Sequence, residues 1–332
     1  MGMGTGRVCS KEQERGGQVA GEQDFAYEKT EKGIRILRCY GVSSTVSVPG
    51  ELEGLPVTEL ADYAFADGME NEPENTSGLP CICGNDLEEL YLPESIRRLG
   101  RYVFYNCLQF RKLSCYSTVS YMGAGGFTGC GRLSHLEMHQ KAGPSCLREL
   151  LQDLKQTVLV DCYLQDKSQK EDFACRLVYP EFFEEAVENT PARIISTQTH
   201  GMGIQYRNTF RNTQIVFPEY DKLFETGKYN MDTAAIIEMA VARLSYPYAL
   251  SGHARAEYAL WLREHLEEGA AYFLGQGRAK EVKWLAESFA ETREELELLL
   301  KAANRQSGTG FVSLLMDALH RRFPAKKKKF AL

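Results

Sequence analysis

Residues 87–138 repeat themselves at a fixed interval. Leu87, Leu90, Ile96, Gly100, Phe104 and Cys107 recur 23 residues later as Phe110, Leu113, Val119, Gly123, Phe127 and Cys130. The same shift begins again at Leu133, Leu136 and Met138, then fades. Six positions in register, each keeping its chemical type, are not a chance pattern. A period in the low twenties is that of a leucine-rich solenoid. No single coil buries its apolar side alone, so about three stacked coils are needed for stability.

One copy, Leu87 to Cys107, shows how a coil is built. Leu90-Tyr91-Leu92 alternates inward and outward, as a short half-buried strand does. Pro93 removes a backbone donor and ends the strand. Ile96 and Leu99 return to the core, and Gly100 permits a sharp change of direction. Phe104 and Cys107, three apart, suit a turn of helix on the far wall. An earlier copy, Val57, Leu60, Ala61 and Phe65, matches Ile96, Leu99, Gly100 and Phe104 at an offset of 39. The surplus over the repeat length falls between Gly68 and Leu87, in a stretch rich in Glu, Asn, Pro and Gly that reads as a surface loop.

These motifs resemble the BspA-type leucine-rich repeat. Leu92-Pro93-Glu94-Ser95, Ile96 to Gly100, and Val103-Phe104 with Cys107 fill its pattern. Gly123 and Gly126-Phe127 with Cys130 fill it again, and Leu60-Ala61 with Ala64-Phe65 fill part of it. The resemblance covers roughly residues 33–138. It implies a right-handed solenoid that binds proteins or surfaces, with no catalytic residues shared across the family. Outward strand positions fall in rows: Ser47, Tyr91, Ser114 and Glu137 in one, Glu89, Lys112 and His135 beside it. This strip is the expected ligand-facing patch. Its mixed charge suits a protein partner, of unknown identity, better than a polyanion.

The expected architecture is α+β and multidomain. Residues 1–24, rich in Gly, Gln and charge, read as a disordered tail. The solenoid with its caps spans 25–155. Phe25–Tyr27 and Ile34–Cys39 make a hairpin over its first coil, and Leu147 to Leu154 make a helix over its last. Residues 156–228 read as a small mixed α/β linker domain. Within it a helix over 180–189 places Glu181, Glu184, Glu185 and Glu188 on one solvated face. Ile204–Tyr206 is a short apolar run, and Tyr206 to Arg211 is either aromatic-and-Arg interface material or an ordinary strand end. Gly201-Met202-Gly203 has too few glycines for a phosphate loop and reads as a tight turn. Residues 229–323 form an all-α helical repeat array, with helices expected at 233–244, 254–266, 267–276, 279–290, 293–304 and 310–321. Asp232, Ser251 and Thr292 are the expected N-caps, with Thr292 and Glu295 in a capping box. A basic tail, 324–332, closes the chain.

The formal net charge is −6, which speaks against nucleic-acid binding. Lys326–Lys329 form a short basic run more simply read as solvated. No apolar stretch reaches spanning length, so no stable membrane insertion is expected. The first residues lack a signal-peptide core. With ten cysteines, most in core-like positions, this places the expected location in the cytoplasm. Cys81 and Cys83 resemble a ligand pair but have no second pair at zinc-site spacing, so no metal and no cofactor are expected. There is no nucleophile elbow, P-loop or dinucleotide fingerprint. The expectation is therefore a non-enzymatic scaffold. The competing readings are an enzyme with a site near His200 and Arg211, and a surface adhesin whose export signal is absent from the chain.

Overall fold

The computed structural model describes residues 3–8, 23–68, 72–165, 171–189, 194–306 and 309–324. It divides into two units, 1–223 and 224–332. The α+β multidomain class holds, with a β-solenoid of about five turns over 34–164.

The first unit opens with β1 (Met3–Val8), β2 (Gln23–Thr30) and β3 (Gly33–Gly41), an antiparallel ribbon. The pair β2–β3 is the expected cap. β1 is a strand where composition predicts a disordered tail, because the free edge of β2 offers it backbone partners from Gln23 to Glu28. The remainder of that expected tail, 9–22, lies outside the described residues.

The chain then winds through parallel walls. Along it come β4 (Thr45–Ser47), β5 (Glu51–Leu52), β6 (Leu55–Leu60), β7 (Glu89–Tyr91), β8 (Arg98–Leu99), β9 (Lys112–Tyr116), β10 (Tyr121–Met122), β11 (His135–Gln140), β12 (Val158–Gln165) and β13 (Glu171–Tyr179). One sheet runs β13-β12-β11-β9-β7-β4; the other runs β1-β2-β3-β6-β8-β10, with β5 folded back on β6. Leu60 pairs with Leu99 at the expected offset of 39. Val46 pairs with Leu90, 44 residues on, because the β5 hairpin adds length to the first coil.

Phe65, Phe104 and Phe127 stack in one interior column, with ring centroids 5.8 and 5.3 Å apart. Gly100 and Gly123 serve close approach rather than a change of direction. A Cβ on Gly100 would lie 2.4 Å from the Ala61 carbonyl carbon, and one on Gly123 2.4 Å from the Arg101 nitrogen.

The side-chain repeat fades after Met138, yet the backbone makes another coil. β12 pairs in parallel with β11, and Val158, Val160 and Cys162 keep the inward positions apolar and buried. The solenoid thus runs past the boundary expected at 156. On the opposite side α1 (Leu147–Asp153) covers the core with Leu147, Leu150 and Leu151, as its leucine spacing predicts. β13 returns antiparallel to β12 and ends the sheet.

The helix expected over 180–189 is instead a strand. β14 (Phe183–Asn189) pairs antiparallel with β15 (Ile194–His200), whose isoleucines and threonines favour extended backbone. Glu184 and Glu185 therefore sit on opposite faces, and the acidic stripe does not exist. Gly201-Met202-Gly203 makes the turn into α2 (Gly203–Arg207), so Ile204–Tyr206 is helical rather than extended. β16 (Phe210–Arg211), β17 (Gln214–Ile215) and α3 (Phe217–Lys222) complete the unit.

The second unit is helical. α4 (Phe224–Asn230) precedes the six expected helices, found as α5 (Thr233–Ser245), α6 (Gly252–Glu264), α7 (Leu266–Gly275), α8 (Ala279–Trp284), α9 (Arg293–Arg305) and α10 (Thr309–Arg322). A π-helical turn, Leu285–Phe289, prolongs α8. Asp232, Ser251 and Thr292 all cap as expected, and Thr292 and Glu295 form the reciprocal box. Leu262, Phe273, Leu285 and Leu299 are buried in its core. Trp261 joins them, whereas Trp284 is only half-buried, stacked on Phe289 at 5.5 Å. Lys326–Lys329 lie outside the described residues.

Candidate functional site

Val46, Leu90, Leu113, Leu136, Val160 and Leu177 share one register line through the first sheet and are all fully buried. Strand alternation therefore turns their neighbours outward. The register aligns Ser47, Tyr91, Ser114, Glu137, Asp161 and Arg176 in one row. Thr45, Glu89, Lys112, His135 and Leu159 form the row beside it. All seven residues expected on the strip are brought together, and Asp161 and Arg176 extend it.

The strip is tied by ion pairs across the strands. Tyr91 Oη donates to Glu89 Oε2 at 2.8 Å, and Arg111 reaches Glu89 Oε1 at 2.6 Å. Lys112 Nζ lies 2.7 Å from Glu137 Oε1 and 5.0 Å from the Tyr91 ring centre. His135 Nε2 is 3.0 Å from Asp161 Oδ2, while the Arg176 fork donates to Oδ1 at 2.6 Å and Oδ2 at 2.8 Å. Burial raises the Asp161 carboxyl, but Arg176 and His135 outweigh it and hold the group at about 2. Burial likewise lowers Lys112, but hydrogen bonds to Glu137 and Tyr91 turn the net shift upward.

Exposure along the strip is uneven. Ser47 is exposed, and Tyr91, Lys112, His135 and Glu137 are half-buried. Glu89 and Ser114 are buried beneath their neighbours and act as supports. A third outward row was not foreseen. Tyr116, His139 and Tyr163 stack at 4.8 and 4.7 Å, and Phe173 packs edge-on against Tyr163. His139 Nε2 meets Ser114 Oγ at 3.1 Å, and Nδ1 lies 3.1 Å from Glu171. Tyr116 and His139 are 23 apart, so the row was visible at the repeat spacing.

His135, Glu137 and Asp161 bring ligand atoms within 4.8 Å of one another. The donor set does not fit a cation. Arg176 already engages both Asp161 oxygens, and Lys112 neutralises Glu137. A metal would displace two positive charges from partners they match.

His200 and Arg211 are held by different groups. His200 stacks on Phe183 at 4.9 Å with Glu185 3.5 Å away, whereas exposed Arg211 lies 3.7 Å from Glu219. The Tyr206–Arg211 stretch is not an exposed edge. Arg207 is fully buried and donates to the carbonyls of Leu151, Leu154, Gln156, Pro180 and Gly203. Burial pulls its guanidinium down to about 10, so it stays protonated at neutral pH. Arginine is rarely buried without a carboxylate, and no local pattern announces this one.

The family model for a "BspA type Leucine rich repeat region (6 copies)" matches residues 80–150. No curated protein sequence matches the chain. Among solved structures, a leucine rich cell surface protein from Faecalibacterium prausnitzii A2-165 is 14% identical, over 43% of this chain and 31% of that one, with a TM-score of 0.25. This chain thus spans about a third of that protein's length. A T. pallidum leucine rich repeat protein is 21% identical over 39% of this chain and 77% of its own, with a TM-score of 0.20. Among the described residues, no helix is long and apolar enough to cross a membrane.

Proposed function

With residues 80–150 carrying a BspA-type leucine-rich repeat, we propose that the chain is a non-enzymatic scaffold that binds a protein partner on the outer face of its repeat strands. The observation that carries this reading is the in-register strip from Ser47 to Glu137, held by cross-strand ion pairs. Side chains fixed before binding lose little rotamer freedom on contact. Tyr91 and Lys112 lie centrally and are the contact residues, flanked by Ser47, His135 and Glu137, with Glu89 and Ser114 positioning them. Acids and bases alternate along the strip, which favours a partner carrying both signs and disfavours nucleic acid. Seven of the nine described cysteines are buried, which supports a reducing compartment such as the cytoplasm.

The test is affinity capture from cell lysate with the full-length chain and with Tyr91→Ala and Lys112→Glu. A discrete partner held by the wild type and lost at least tenfold by both variants supports the strip. Capture unchanged by either substitution removes it.

A further inference from the structure

Cys81 and Cys83 lie away from the strand face, in the segment inserted into the first coil. Ile82 between them is buried, and its amide donates to the Cys39 carbonyl at 2.9 Å. Cys81 bridges Tyr40, and Cys83 is extended, at φ −148° and ψ 164°. Turning Ile82 inward sends both cysteines to the other side. There the two thiols, both half-buried, stand on the same side of the segment.

Nearby is Arg38, 1% exposed. It donates to the carbonyls of Tyr63, Ala64 and Ala66 at 3.1, 3.3 and 2.7 Å and to Glu72 at 2.9 Å. The neighbouring Cys81 pulls the Cys83 thiol down to about 7. Burial opposes this, the Arg38 charge reinforces it, and Asp67 and Asp86 work weakly against it. Cys81 moves upward in turn. Burial pushes Cys39, Cys107 and Cys130 upward, the opposite direction to Cys83. Among the described residues, no third histidine, cysteine or carboxylate completes a ligand set with the pair.

We propose that Cys81 and Cys83 are a dithiol modification site for hydroperoxides, closing reversibly to a disulfide. The Cys83 thiolate attacks the terminal peroxide oxygen. The S–O bond forms, the O–O bond breaks, and the departing alkoxide or hydroxide takes up a proton. Cys81 sulfur, giving up its proton, then attacks the Cys83 sulfenic sulfur. The S–S bond forms and the hydroxyl leaves as water. The two thiols supply two electrons and two protons, and one hydroperoxide is reduced. Residues two apart in extended chain have Cα atoms about 6.6–6.8 Å apart, at the upper limit for a disulfide. Closure therefore bends the backbone at Ile82 and strains its bond to Cys39. A strained disulfide is readily reduced by small thiols, which makes the site reversible.

The experiment uses the reduced full-length chain, treated with hydrogen peroxide at pH 7, alkylated with iodoacetamide and mapped by mass spectrometry. The expected result is a peptide spanning 81–83 that has lost two hydrogens and regains two alkylation sites after dithiothreitol. In Cys81→Ser, dimedone should label Cys83 as the sulfenic acid. Without peroxide, Cys83 should be alkylated about tenfold faster than an unperturbed thiol at pH 7. Full alkylation of both thiols after peroxide, or oxidation falling mainly on other cysteines, overturns the proposal. The wild-type map needs no variant to fold, so either result stands on its own.

Discussion

The Cys130 thiol donates to the carbonyl of Phe104, one coil back, at 3.1 Å, and Cys107 makes the same bond to Phe65 at 3.2 Å. The position needs a small apolar side chain with a weak donor, and cysteine supplies both. It sits beside the phenylalanine column, so the coil contact is covered by packing and closed by the thiol.

Cys130→Ala should therefore remove the thiol bond to the Phe104 carbonyl, which keeps only the Cys107 amide, and leave a small void. The expected loss is about 1–2 kcal/mol, read as a lower urea midpoint with unchanged slope. Phe104→Ala opens the column itself and should cost about 3–5 kcal/mol. Equal effects from the two substitutions would mean that the column is not the main support.

Gly123→Ala should destabilise the solenoid although it adds one methyl. The new Cβ would lie 2.4 Å from the Arg101 nitrogen, which is backbone and cannot rotate aside. Overpacking of this kind costs about 1–3 kcal/mol. Gly131→Ala, where a Cβ meets open space, is the control and should be near neutral in thermal unfolding.

Asp161 links stability to pH. Its carboxyl sits at about 2 in the folded chain, below the ordinary value of about 3.9. A depressed carboxylate contributes stability above its unfolded value and loses it as pH falls through the folded one. Asp161→Asn should cost about 2 kcal/mol at pH 7, and the difference from wild type should close between about pH 4 and 2. Denaturant unfolding across that range measures it.

Arg207 joins α1, β13's end and α2 through backbone carbonyls. Arg207→Met would orphan several of them, and at about 1 kcal/mol or more each the loss should exceed 3 kcal/mol. Arg207→Lys should rescue little, since an ammonium cannot match the guanidinium fork. Urea unfolding of both variants, followed by circular dichroism, gives the comparison.

Thr292→Ala should cost about 1 kcal/mol by opening the capping box of α9. Amide exchange at Glu295, whose N–H bonds the Thr292 hydroxyl, should quicken while α5 is unaffected.

The amino-acid sequence by itself determined the coil period, the rows of outward residues, the phenylalanine column and the six C-terminal helices with their caps. Each is a short-range signal: chemical type recurring at a set spacing, or a capping side chain beside the amides it serves. The strip from Ser47 to Glu137 was legible for the same reason, because in-register parallel strands copy sequence spacing into space. Only the tertiary structure decided the rest. It buried Glu89 and Ser114 under their neighbours, joined β12 to the solenoid, and made a hairpin of 183–200 where glutamate spacing predicts a helix. It also turned Arg38 and Arg207 inward onto carbonyls that, Gly203 apart, lie 25 or more residues away along the chain. Such choices depend on which distant backbone groups need a partner, and local composition carries no record of that demand.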